Sequence, residues 1–146
     1  MLLFLDFDGV VHPRSGSPFD VSCIGHIERA LTAYPETRIV ITSSWREHYP
    51  VEQLKKLLGA ELGNRVAGVT PSIRGTYTKY VRHEEVLQYL KDTDISDCMW
   101  IALDDSPEFY PDTAPVIWVD GVHGVTEHEV VQLQAALRVL SYHSNK

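Results

Sequence analysis

The chain has 146 residues, 44% hydrophobic and 23% charged, the proportions of one soluble domain long enough to bury a sizeable core. Its formal net charge of −7 argues against indiscriminate nucleic-acid binding, though not against a local basic patch. No apolar run approaches the roughly 18 residues of a membrane-spanning helix, and Cys23 and Cys98 stand far apart in apolar contexts, which predicts buried free thiols and a cytoplasmic protein.

Leu2-Leu3-Phe4-Leu5 predicts a buried strand. It has no basic segment before it and runs straight into Asp6, so it reads as a core strand rather than a signal peptide. Asp6 and Asp8 follow at i and i+2, then Gly9. Such positions share one side of a strand. A turn at Gly9 lets both carboxylates converge beyond the strand's C-terminal edge, where open α/β sheets bind ligands. Carboxylates this close repel unless a cation joins them, and Mg²⁺ favours one or two carboxylates plus water and phosphate. One of the pair can attack as a nucleophile while the other moves a proton. Alone, Asp-Phe-Asp-Gly reads more readily as a strand end and solvated turn. Later segments reverse that reading.

Residues 12–20 form a loop rich in proline and serine. Arg14 there either faces the site or is solvated, and His12 is a candidate substrate contact. Helical spacing then predicts a helix from Ser22 to about Tyr34. Arg38–Ile41 predicts a second buried strand, ending in Thr42-Ser43-Ser44. Those hydroxyls suit phosphate oxygens. They equally suit a helix cap, with Glu47 as capping-box partner. Trp45 and Arg46 could hold a base or sugar, or be a packing ring and a solvated cation.

A helix over Val51–Leu58 ending at Gly59 and a strand over Val66–Val69 are expected next. A polar loop then carries Arg74 and Lys79. Arg82 opens the following helix, where a cation opposes the macrodipole and Glu84 and Glu85 suit it. Arg82 and Lys79 are therefore candidates for neutralising a phosphate or the carboxylates. Met99–Leu103 predicts a strand ending in a second pair, Asp104-Asp105. If the two strands are parallel neighbours, Asp6, Asp8, Asp104 and Asp105 meet at one edge. Val116–Val119 predicts the last strand. Thr126 and Glu129 form a capping box for a helix through Leu140, before a frayed tail over 141–146. His123 and His128 read as surface residues.

LFLDFDGVV, IVITSS, a basic residue before a helix and WIALDDSPEF occur in this order, and together they resemble the four motifs of the haloacid dehalogenase-like (HAD) hydrolase superfamily. The resemblance implies a three-layer Rossmann-like α/β fold over residues 1–146, mainly parallel, with helices on both faces. Asp6 would be the nucleophile of an aspartyl-phosphate and Asp8 the acid/base. Mg²⁺ would be held by Asp6, the backbone carbonyl of Asp8, and Asp105 or Asp104. Thr42, with Ser43, would bind the phosphoryl group beside the Gly9 turn, and Arg82 or Lys79 would neutralise charge. An acid/base at Asp8 points to phosphoryl transfer rather than carbon–halogen cleavage. The short spacings from Asp8 to Thr42 and from Thr42 to Arg82 imply a member with little or no cap domain, open to a large phosphorylated substrate. SSWRE, RHEEVLQYL, ALDDSPEF and VDGVHGVT resemble more narrowly the small HAD group associated with RNA repair. That would make Arg14, Trp45, Arg46 and Arg74 contacts to a polynucleotide end. A binding module without turnover, or a phosphotransferase, are the alternatives.

Overall fold

A computed structural model describes residues 1–15, 19–73 and 78–144. Five short strands form one wholly parallel sheet: β1 (Leu2–Leu5), β2 (Arg38–Ile41), β3 (Val66–Val69), β4 (Trp100–Asp104) and β5 (Val116–Trp118). Their order is β3-β2-β1-β4-β5, which puts the first strand at the centre. The central strands are apolar almost throughout because both faces of the sheet are covered, as parallel sheets require.

Alternation along each strand divides the core in two. Leu3, Leu5, Ile39, Ile41, Ile101 and Leu103 face α1 (Val21–Leu31), α2 (Val51–Arg65) and α4 (Glu127–Ser144). Leu2, Phe4, Val40 and Ala102 face α3 (Val81–Asp92), through Val86 and Leu90, and Tyr110. Three helices thus cover one face and a single helix the other. Asp20 opens α1, accepting the Ser22 and Cys23 N–H groups at 2.8 and 3.4 Å. The capping box before α4 forms, with Glu129 accepting the Thr126 N–H at 2.9 Å.

Several boundaries differ from expectation, among them α1, which ends at Leu31 rather than about Tyr34, and β5, which ends at Trp118 rather than Val119. α2 does not end at Gly59 but resumes after it, because that residue alone leaves helical geometry at φ 85° and the chain then buries Leu62 beside Leu58. β4 includes Asp104, and α4 runs past Leu140 to Ser144. Both cysteines are free, but Cys98 is only half-buried. Among the described residues, a loop alone separates β1 from α1, and only a 3₁₀ turn (Ser44–Glu47) and α2 lie between β2 and β3. No described helix is long and apolar enough to cross a membrane.

Candidate active site at the strand ends

Register builds the site. Leu5 of β1 lies opposite Ile41 of β2 and Leu103 of β4. The pairing continues one residue further, with Asp6 N–H donating to the Leu103 carbonyl at 3.2 Å and Thr42 N–H to the Leu5 carbonyl at 2.9 Å. Asp6, Thr42 and Asp104 therefore leave three adjacent strands at the same level.

Asp6 is only 4% exposed. Its Oδ1 accepts the Phe7 N–H at 2.8 Å, and its Oδ2 lies 3.3 Å from the Arg82 guanidinium. Burial, then the neighbouring Asp104 charge, pushes its carboxyl well above the usual range, and Arg82 only partly offsets this. Asp104 is fully buried, accepts Arg82 at 2.8 Å and the Ser106 N–H at 3.0 Å, and is likewise raised by burial. Asp105 accepts the Ser106 hydroxyl at 3.1 Å and the Arg14 guanidinium at 3.0 Å. It lies between two glycines. A Cβ on Gly9, which holds φ +77°, or on Gly121 would run into its Oδ2. Asp6, Asp104 and Asp105 each offer one oxygen within 4.8 Å of the others. Crowded, hard, all-oxygen donors of this kind fit Mg²⁺.

Arg82, in the first turn of α3, spans Asp6 and Asp104 while its guanidinium lies 4.9 Å from the Phe109 ring centre. Burial works against its charge, but the two aspartates outweigh burial and hold it above the ordinary arginine value. Lys79 instead places its ammonium 5.2 Å over the Tyr80 ring. The two hydroxyls after β2 also separate. Ser43 accepts the Trp45 N–H at 3.2 Å and caps the 3₁₀ turn, whereas the buried Thr42 Oγ1 has no hydrogen-bond partner among the described residues.

Asp8 stands apart from the buried cluster. Its side chain is 56% exposed, and its Oδ1 accepts the Trp45 indole N–H at 3.1 Å with His12 Nδ1 at 3.3 Å. Arg46 requires a correction, because it is neither solvated nor open to a substrate. Only 6% of its side chain is exposed. Its Nε donates to the Thr70 carbonyl at 2.8 Å and its Nη1 to Thr42 and Ser43 carbonyls at 2.8 and 2.9 Å. Its Nη2 reaches the Pro71 carbonyl at 3.3 Å and Glu85 at 2.9 Å. The guanidinium thus satisfies carbonyls that leave the ends of β2 and β3, where the ladder stops. Glu85 is turned inward as well, accepting the Ile73 N–H at 2.9 Å, rather than complementing a helix terminus from the surface. Arg74 lies outside the described residues.

Glu85 and Gly121 are the site-supporting residues that sequence reasoning did not single out. An acid in a helix's first turn and a glycine in an Asp-Gly loop each have an ordinary local explanation. No curated protein and no solved structure matches the chain. A protein family does, described as the HAD domain in Swiss Army Knife RNA repair proteins, and the match covers residues 2–130. Matched from its central strand into its last helix, the chain belongs to that family.

Proposed function

We propose that the chain is a Mg²⁺-dependent phosphatase that hydrolyses a phosphate monoester at the end of a polynucleotide. The observation that carries this reading is the trio of Asp6, Asp104 and Asp105 oxygens at one sheet edge, with Arg82 and the unpartnered Thr42 hydroxyl beside them. Asp6 attacks phosphorus and forms an aspartyl-phosphate as the ester P–O bond breaks. Asp8 gives its proton to the departing oxygen. It then takes a proton from the water that attacks the same phosphorus, which releases phosphate and restores Asp6. Thr42 donates its hydroxyl to a phosphoryl oxygen, and Arg82 neutralises charge as it spreads over the equatorial oxygens. Asp6, Asp105 or Asp104, and the Asp8 carbonyl would hold Mg²⁺, which when bound lets the ionised Asp6 stand beside a phosphate. Family membership and the absence of an inserted cap among the described residues support a large substrate from RNA repair.

Phosphate release from 5′- and 3′-phosphorylated oligonucleotides, mononucleotides and an aryl phosphate, with and without Mg²⁺, tests this reading. Mg²⁺-dependent release that favours oligonucleotide ends is expected. A preference for mononucleotides would remove the polynucleotide assignment. A second reading, a binding module without turnover, draws on the arginines already paired with the cluster, Arg82 and Arg14. It predicts that Mg²⁺ or phosphate binds without hydrolysis of any of these substrates.

Thr42→Val should separate binding from folding. Its hydroxyl has no partner to lose, so stability should hold or rise. Loss of a hydrogen bond to a charged phosphate should lower kcat/KM by about 10- to 100-fold. Unchanged kcat/KM would place the phosphoryl group elsewhere.

A further inference from the structure

We propose that Trp45 is the positioning residue for Asp8, and that its indole N–H decides which carboxylate oxygen handles the proton. The inference rests on the phosphatase reading above. Asp8 sits on a turn with more than half its side chain exposed, where a carboxylate would ordinarily sample several rotamers. Here its Oδ1 is engaged by the Trp45 Nε1–H at 3.1 Å and approached by His12 Nδ1 at 3.3 Å. Oδ2 is the oxygen left over for proton transfer.

The indole is itself held firmly. Its backbone N–H is tied to Ser43, and the adjacent Arg46 is locked by strand-end carbonyls. Its ring lies 5.2 Å from Phe19, 5.5 Å from Tyr49, 5.6 Å from His12 and 6.2 Å from Phe7, centre to centre. Rings packed edge-to-face on several sides leave the N–H one direction to point. A hydrogen bond from a ring fixed in this way orients the acid before substrate arrives, so less reorganisation is needed when the leaving oxygen must be protonated.

The test is leaving-group dependence. Trp45→Phe keeps an aromatic ring and deletes the N–H. General-acid help matters for a departing alkoxide and little for a nitrophenolate. In kcat/KM, which reports the step that breaks the ester bond, Trp45→Phe should lose about 10- to 100-fold on a nucleoside 5′-monophosphate. It should lose no more than about threefold on nitrophenyl phosphate. Equal losses on both substrates would mean a structural role only, and no loss on either would also overturn the proposal. If the phenylalanine variant does not fold, the benzothienyl analogue of tryptophan at position 45 keeps the shape without the N–H, and the same split is expected. No turnover by the unmodified protein on either ester would bring down the phosphatase reading itself, and this role with it. Turnover with parallel losses would bring down the role alone. The indole N–H resonance of Trp45 gives a readout without turnover. It should shift in Asp8→Ala, which removes the acceptor, and a resonance that stays in place would show that the hydrogen bond does not form.

Discussion

Asp6→Asn should abolish turnover and, in the metal-free protein at neutral pH, raise stability. The loss of activity follows from removing the attacking oxygen, and a drop of about 10⁴-fold or more in kcat is expected. The gain in stability follows from the site's electrostatics. Burial and the Asp104 and Asp105 charges hold the Asp6 carboxyl above its usual range, so its ionised form is disfavoured in the folded state relative to the unfolded one. A group raised on folding favours the folded state below its unfolded-state value, and that contribution is lost as pH rises through its folded-state value. The asparagine variant does not incur that loss. Its advantage should be largest at neutral pH and should shrink as the solution is acidified and Asp6 takes up its proton. Arg82 keeps its 2.8 Å bond to Asp104 in the variant, so no buried cation is stranded. Thermal unfolding of both proteins in chelator across pH reads this directly. Adding Mg²⁺ should reverse the order, because a cation that binds only the folded state stabilises the wild type by mass action. An asparagine variant that is less stable than wild type without metal would refute this view of the cluster.

Arg46→Ala should be strongly destabilising. Removing one partner of a buried ion pair typically costs about 3–5 kcal/mol, because the other charge stays buried and uncompensated. Here Glu85 would be left behind, and so would the carbonyls of Thr42, Ser43, Thr70 and Pro71. Glu85→Gln should cost less, since an amide can still accept the Ile73 N–H. Denaturant midpoints for the two single variants and the double variant close a cycle, and a coupling of about 1 kcal/mol or more is expected for residues in contact. Simple additivity would show that the pair is not energetically linked. Glu85 lies one turn beyond Arg82 on α3, so the pair also fixes the spacing between the cation and Thr42. Both variants should lose activity even where they remain folded.

These two residues show where the sequence stops being informative. The strands were legible because each is a short apolar run closed by a charge or hydroxyl, a pattern confined to a few neighbours. The aspartates were legible as candidates for the same reason, once two such runs ended alike. Arg46 depends on carbonyls up to 25 residues away, and nothing local distinguishes its guanidinium from a solvated one. Thr42 and Ser43 were inseparable by type, since either hydroxyl can cap or bind. The backbone separates them by sending adjacent side chains to different sides of the strand. Gly59 reads locally as a helix end, and it is the burial of Leu62 beside Leu58 that carries the helix past it.

The uneven clothing of the sheet has a bearing on how the site comes apart. The aspartates belong to the middle strands, which are sealed on one side by three helices. Arg82 and Glu85 belong to the lone helix on the other side, which rests on the smaller of the two apolar clusters. Regions with fewer buried apolar contacts open at lower free energy than the whole molecule. Partial opening of α3 would withdraw the guanidinium that balances the carboxylates, while the strands that carry Asp6 and Asp104 stay paired. Inactivation by local opening would then precede loss of the fold, and a nucleic acid or metal bridging the two halves would act as a clasp across the weaker seam.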